Sequence, residues 1–251
     1  MHTGKYKVNV ISRTNSSRRE SIKKHLDDLG INFNFLDAAD KTNIKRDNLV
    51  FSHRDYSLKI TESSYWGSFK TRGWFKIGEV GCFMSHYILW NQLLNDSCDY
   101  YLILEDDASL TFDNESLLKF FQSELPKIDL IFCQSVSPNF PNGKQIFNTI
   151  NVEQLTAIPN GYYDLQLIEG TTGYILSKTG AQKLVEKVKE LGCIMPVDNF
   201  IGIVASEIMN SFICPNYLRI IMANYWKNTE IHHEVKEEKS LLLDGITFKY
   251  E

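Results

Sequence analysis

Tyr100-Tyr101-Leu102-Ile103-Leu104-Glu105-Asp106-Asp107-Ala108 is the stretch that decides how the rest of the chain is read. Five apolar or aromatic residues run straight into three carboxylates. A short continuous apolar run bounded by polar residues is the pattern of a strand buried on both faces of a sheet. In open α/β sheets the carboxyl ends of such strands border the crevice where ligands bind. Three adjacent carboxylates repel one another, so the pattern calls for positive charge nearby. A hard divalent cation holding a phosphate would supply it. The plainer alternative is a solvated acidic turn, which the apolar lead-in disfavours.

Upstream, Lys5 to Ser12 (KYKVNVIS) alternates and is rich in β-formers, so it reads as the first strand. A polar turn, Arg13 to Ser17, leads to a helix over Arg18 to Leu29. Ile22, Leu26 and Leu29 share one face of it, and Gly30 closes it. Asn32 to Leu36 alternates again and ends at Asp37. This is a β-α-β unit, which implies parallel strands. The first β-α turn of such a unit is where a nucleotide phosphate or base usually sits. It carries Arg13, Arg18 and Arg19. An arginine at a helix start opposes the macrodipole, which favours a ligand role over a solvated helix surface.

Residues 38–77 are poorly periodic and hold Trp66, Trp74, Gly67 and Gly73, so they are expected to form a covering loop. Gly78 to Asn95 (GEVGCFMSHYILWNQLLN) is the clearest helix. Val80, Phe83, Met84, Tyr87 and Leu94 give it an apolar stripe, and Glu79, Cys82 and His86 share another face. Ser85 lies beside His86, but no Gly-x-Ser-x-Gly elbow is present.

Downstream, the pattern predicts a helix over Leu117 to Leu125, a buried strand over Asp129 to Gln134 and a long loop over 135–160. Two strands follow around Gly170, at Tyr162 to Glu169 and Thr171 to Ser177. An amphipathic helix over Thr179 to Leu191 is closed by Gly192. Pro196 then stops regular structure just before Asp198, an acid flanked by apolar residues. A desolvated aspartate there is a candidate general base. It is equally a candidate N-cap for a helix over 199–210. Near the end stand His232, His233 and Glu234. Imidazole can complete the shell of a borderline ion such as Mn²⁺, and an exposed tail would look the same.

Composition sets the outer limits. At 251 residues the chain suits one large domain. Its hydrophobic content of 43% is that of a globular protein, and a net charge of −4 argues against a nucleic-acid binder. Charge is nevertheless uneven: residues 1–24 carry seven basic side chains and a single acidic one, Glu20. Five widely spread cysteines form no CxxC pair, so neither a zinc ribbon nor a disulfide framework is indicated. The chain starts in a polar strand-like segment rather than a signal peptide. No apolar run reaches the roughly 18 residues of a membrane span. The expectation is a cytoplasmic protein, with peripheral contact at the inner face of the membrane left open.

The pieces together are specific where each alone is weak. Gly78-Glu79-Val80-Gly81-Cys82-Phe83-Met84-Ser85-His86, then Leu89-Trp90, then Leu102-Ile103-Leu104-Glu105-Asp106-Asp107-Ala108 resemble glycosyltransferase family 25, the lipooligosaccharide galactosyltransferases. Asn9 to Ser12 with Arg18-Arg19, Gly173 to Ser177 with Ala181 and Leu184, and Pro196-Val197-Asp198 resemble its other blocks. The resemblance covers roughly residues 5–205. It implies an α/β fold of the GT-A type, a Rossmann-like sandwich with a mostly parallel central sheet. A single domain over 1–251 would place the nucleotide-sugar half at 1–110, the acceptor side at 111–230 and a tail at 231–251.

The resemblance further implies an inverting, metal-dependent transfer of a hexose, galactose first, from a UDP-sugar to a hydroxyl of a glycolipid oligosaccharide. Glu105-Asp106-Asp107 resembles the Asp-x-Asp motif of that fold. Asp107 would then ligate Mn²⁺ (or Mg²⁺), joined by His232 or His233, with Glu105 and Asp106 beside the nucleotide. Glu105 would approach the ribose or a metal-bound water. Arg13, Arg18 or Arg19 would steady the diphosphate. Asp198 is the first choice of base and Glu79 the second, and His86 would position donor or acceptor. Two rivals come from other classes: a non-catalytic sugar-nucleotide binder, and a metal-dependent phosphotransferase. The latter would want a nucleophilic aspartate very early in the chain, where strand one instead ends in Ile11-Ser12-Arg13.

Overall fold

In the strands, alternate side chains are apolar on both faces, so each face needs its own cover. The computed structural model describes residues 5–40, 42–47, 50–60, 77–123, 125–133, 154–157, 170–193 and 195–222. In chain order the first elements are β1 (Tyr6–Ser12), α1 (Arg19–Asp28), β2 (Asn34–Asp37), β3 (Lys45–Asp47), β4 (Val50–His53) and β5 (Tyr56–Lys59). Next come α2 (Ile77–Asn95), β6 (Tyr100–Glu105), β7 (Ala108–Leu110), α3 (Asn114–Gln122), β8 (Leu130–Phe132) and β9 (Thr156–Ala157). The last are β10 (Gly173–Ser177), α4 (Lys178–Leu191), α5 (Val197–Ile208), β11 (Ser211–Ile213) and β12 (Ile220–Met222).

The central sheet runs β2-β1-β6-β10-β8-β11-β9. β1 pairs parallel with β2 and with β6, as the β-α-β pattern requires, and β8 pairs parallel with β11. β10 is wedged in reversed, antiparallel to β6 and to β8. Its register sets Gly173 opposite Leu104. The start of β10 therefore meets the carboxyl end of β6.

Alternation sorts the core into two layers. Tyr101, Ile103, Tyr174, Leu176, Leu130 and Phe132 face α2, α4 and α5. Val8, Val10, Leu102, Leu104, Ile131 and Ile175 face the side of α1 and α3. α2 is the central helix. Sequence pattern gives it one apolar stripe, yet it is buried nearly all round from Val80 to Trp90, with Ser85 and His86 fully enclosed. Gly81 explains how it comes so close: a Cβ there would sit 2.4 Å from the Ala39 carbonyl oxygen. Ser85 ties the same contact, accepting the Ala39 N–H at 2.9 Å.

Several boundaries differ from the sequence reading, each for a local reason. The covering loop expected over 38–77 contains an antiparallel sheet, β3-β4-β5, whose β4–β5 turn places Arg54 at φ 53°. Strands of three or four residues are too short for an alternation test. Trp66 and Trp74 lie outside the described residues. α3 begins earlier than the apolar pattern because Asp113 caps it, accepting the Ser116 N–H at 2.9 Å. α5 begins at Val197 with Pro196 as its N-cap, so Asp198 sits inside the first turn instead of capping it. β7, β11 and β12, each three residues long, carried no readable signal. The strand expected over 162–169 lies outside the described residues, as does most of 135–160.

Candidate active site

The acidic run ends β6 as its pattern implied: Glu105 is the last strand residue, and Asp106 and Asp107 form the turn to β7. The parallel partner β1 ends alongside, with Ile11 opposite Glu105. Ser12 and the turn after it thus face the carboxylates. Ser12 Oγ donates to Asp106 Oδ2 at 2.8 Å, and Arg18 Nη2 lies 2.8 Å from Asp106 Oδ1. Ser16 donates to the same carboxylate. Arg18 Nη1 reaches Asp107 Oδ2 at 3.6 Å. The positive charge called for by the acidic run is, in this structure, Arg18 of the first β-α turn.

That compensation is incomplete at Asp107. Its Oδ1 is buried with no hydrogen-bond partner, and so is Arg18 Nε. Burial, followed by the charge of Glu105, pushes the Asp107 carboxyl up to about 7. Burial also raises Asp106, against the pull of Arg18 and the two serines. A carboxylate oxygen enclosed without a donor is a place where a cation fits.

The other two arginines of the turn have carboxylate partners further out. Arg13 Nε lies 3.0 Å from Asp40 Oδ2. Arg19 Nη1 lies 2.8 Å from Asp37 Oδ1, and its guanidinium sits 4.2 Å from the centre of the Phe35 ring. Hydrogen bonding from Arg19 holds the Asp37 carboxyl below its usual range.

On the α2 side of the same strand end, a second cluster forms. Glu105 Oε1 collects three donors: His86 Nε2 at 3.4 Å, the Thr171 hydroxyl, and Cys82 Sγ at 3.9 Å. Burial works to raise Glu105, but the bonds from His86 and Thr171 prevail and hold it below its usual range. One residue before Thr171, the Gly170 N–H donates to Asp198 Oδ2 at 3.1 Å. Asp198 Oδ1 also accepts from the backbone and side chain of Asn199, at 2.8 and 3.1 Å. Burial raises the Asp198 carboxyl, opposed by these backbone bonds and aided by the charge of Glu105. Glu79 lies half-buried in the first turn of α2. Burial, with the charges of Glu105, Asp198 and Glu79, pushes the Cys82 thiol far up, so Cys82 is a thiol and not a thiolate.

The structure therefore brings Glu105, Asp106 and Asp107 together with Arg18, and brings Glu105 together with His86, Cys82 and Asp198. His232 and His233 lie outside the described residues. Ser12, Ser16 and Thr171 were missed by sequence reasoning. Ser12 was findable, since parallel pairing of the first and central strands places their ends side by side. Thr171 had no signal, because it reaches Glu105 only through the reversed strand.

The pattern of the family described as glycosyltransferase family 25 (LPS biosynthesis protein) matches residues 5–201. The chain belongs to glycosyltransferase family 25. A glycosyltransferase 25 family member of Aedes aegypti is 28% identical over 201 residues, which is 79% of this chain and 30% of that protein. The lipooligosaccharide biosynthesis protein lex-1 of Haemophilus influenzae is 29% identical over 131 residues, 50% of this chain and 40% of that one. A putative glycosyltransferase of the same bacterium is 27% identical over 203 residues, 80% of this chain and 64% of that one. The match thus spans less than a third of the length of the mosquito family 25 relative. Among solved structures, the galactosyltransferase LgtC in complex with donor and acceptor sugar analogs aligns with a TM-score of 0.42 at 14% identity, over 82% of this chain and 72% of that one. Among the described residues no helix is long and apolar enough to cross a membrane.

Proposed function

We propose that this family 25 glycosyltransferase moves a hexose, galactose first, from a UDP-sugar to a hydroxyl of a glycolipid oligosaccharide, in one inverting displacement. The observation that carries the reading is Asp107: an enclosed carboxylate with one oxygen unpartnered and its proton affinity raised, at the ligand end of a nucleotide-type sheet. These residues fit a divalent cation, Mn²⁺ or Mg²⁺, held by Asp107 with Asp106 beside it. Bound there, the ion would offset the negative charge that grows on a departing diphosphate.

The chain's own residues account for the rest. Arg18 already spans Asp106 and Asp107, and a bidentate guanidinium suits a phosphate as well as a carboxylate. Arg13 and Arg19 are the further basic groups of that turn. Asp198, raised by burial, takes the proton of the attacking hydroxyl, with Glu79 as the second choice. Glu105 orients the hydroxyl-bearing ligand, and the enclosed His86 acts through it. His232 and His233 remain candidate metal ligands. The donor-binding groups come from residues before 110, and Asp198 from the later half.

The test is a thermal-shift panel of UDP, GDP, CMP and UDP-sugars, each with and without Mn²⁺. A ligand that binds only the folded state raises the melting temperature by mass action. The expected result is stabilisation by UDP or UDP-galactose that requires Mn²⁺. Stabilisation by GDP or CMP compounds alone would discard the donor, and no shift with any nucleotide would discard the reading.

A further inference from the structure

Beneath the acidic end of β6, three large buried side chains form a polar chain: Trp90, Tyr174 and His86. The Trp90 indole N–H donates to the Tyr174 oxygen at 2.9 Å. That same oxygen lies 2.8 Å from His86 Nδ1, and His86 Nε2 lies 3.4 Å from Glu105 Oε1. The spacing is built in: His86 and Trp90 are one helical turn apart on α2, and Tyr174 stacks on the histidine ring from β10, with centroids 5.6 Å apart.

Donor chemistry gives the chain a direction. An indole N–H donates and never accepts, so the Tyr174 oxygen accepts from Trp90. The phenol proton then points to His86 Nδ1, its remaining partner among the described residues. A ring nitrogen that accepts carries no hydrogen, so a phenol donating there would leave the ring proton on Nε2, aimed at Glu105. Polarity thus runs from the indole to the carboxylate. At its end, Oε1 of Glu105 is saturated by three donors, while Oε2 has no protein partner among the described residues and the side chain is 26% exposed.

We propose that Trp90 and Tyr174 are positioning residues: they fix His86 as the Nε2–H tautomer, and His86 thereby holds Glu105 so that its second oxygen is presented to a hydroxyl of the bound ligand. Only the identity of that ligand, a sugar nucleotide, rests on the proposed function. The same cluster has a rival use. Cys82 Sγ, His86 Nε2 and Glu105 Oε1 lie within 4.8 Å of one another, a donor set suited to a borderline ion such as Zn²⁺. Such an ion needs Nε2 bare, and the donor order starting at Trp90 denies it that.

The experiment is two-bond ¹⁵N–¹H NMR of the whole protein labelled in histidine, with His86 assigned by His86→Gln. The wild type at neutral pH should show a singly protonated Nε2–H ring. Tyr174→Phe should shift that signal toward a mixture of tautomers and weaken UDP-galactose binding about tenfold by calorimetry, one charge-assisted hydrogen bond's share. Trp90→Phe should move both readouts the same way, less far. If neither variant folds, the wild-type spectrum alone decides. An Nδ1–H or doubly protonated ring in the wild type overturns the proposal, as does an unchanged tautomer in Tyr174→Phe. Stoichiometric Zn²⁺ uptake abolished by Cys82→Ser overturns it as well. An Nε2–H ring in a protein that binds no UDP-sugar upholds the fixed tautomer and rejects the donor, so the two failures are distinguishable.

Discussion

Asp107→Asn should make the metal-free protein more stable, not less, and most of all at neutral to alkaline pH. The carboxyl is 10% exposed, and its pKa rises from 3.8 to about 7 in the fold. Burial is the first cause and the charge of Glu105 the second. For an acid whose folded value is raised, the folded state holds a proton that the unfolded chain has released. Stability therefore falls as pH rises through the window from roughly 4 to 7 and stays low above it. Three units at about 1.4 kcal/mol each put the ceiling of this cost at about 4 kcal/mol. The asparagine carries no charge and avoids the cost. The long contact to Arg18 at 3.6 Å is already counted in that shift, since it pulls the carboxyl down. A gain of up to about 4 kcal/mol corresponds to roughly 8–16 °C in melting temperature for a chain of this size. The assay is a pair of calorimetric melts in chelator, at pH 5 and pH 8, for wild type and variant. The variant should lead at pH 8, and by less than half that margin at pH 5, about one unit into the window. Adding Mn²⁺ at pH 8 should then raise the wild type alone. A variant that is less stable at pH 8, or that leads by the same margin at pH 5, would refute the reasoning.

Three further outcomes are expected. Gly81→Ala places a methyl 2.4 Å from the Ala39 carbonyl oxygen and should cost about 2 kcal/mol or more in urea unfolding; an unchanged midpoint would mean α2 can shift freely. Asp129 is fully enclosed and accepts from Lys183 at 2.6 Å, Thr179 at 2.7 Å and the Asn210 N–H at 2.8 Å. Burial raises its carboxyl, but these bonds prevail and hold it below the usual range. Asp129→Ala should cost about 3–5 kcal/mol, and the wild type should lose that support as pH falls below roughly 4, so its acid midpoint should lie below the variant's. Asp198→Asn should lower sugar transfer about 100-fold or more with UDP affinity intact; unchanged turnover would hand the base role to Glu79.

Much of the fold was legible because its deciding segments obey one period each. Tyr100 to Leu104 is apolar throughout, and α1 shows a clean face. Parallel pairing of β1 with β2 and β6 follows from those patterns. What stayed hidden were short strands and the direction of β10. A reversed strand brings its beginning to the ligand end, and the rule that looks for acids at strand carboxyl ends is blind to that. Hence Glu105 was read and Thr171 was not. The three arginines were indistinguishable in sequence. In the structure Arg18 alone of them spans the acidic turn, because its partners depend on where β6 ends relative to α1.

Gly170 and Thr171 are neighbours in the chain, and each holds a different carboxylate: the first Asp198, the second Glu105. Successive Cα atoms across a trans peptide stand about 3.8 Å apart, so a single peptide unit acts as a fixed ruler between the two groups. Neither can be reset against the other by moving the segment that leads into β10, because any displacement carries both along together. On the proposed function, selection for a new acceptor would be steered away from this segment, and toward segments that can change length without moving that ruler.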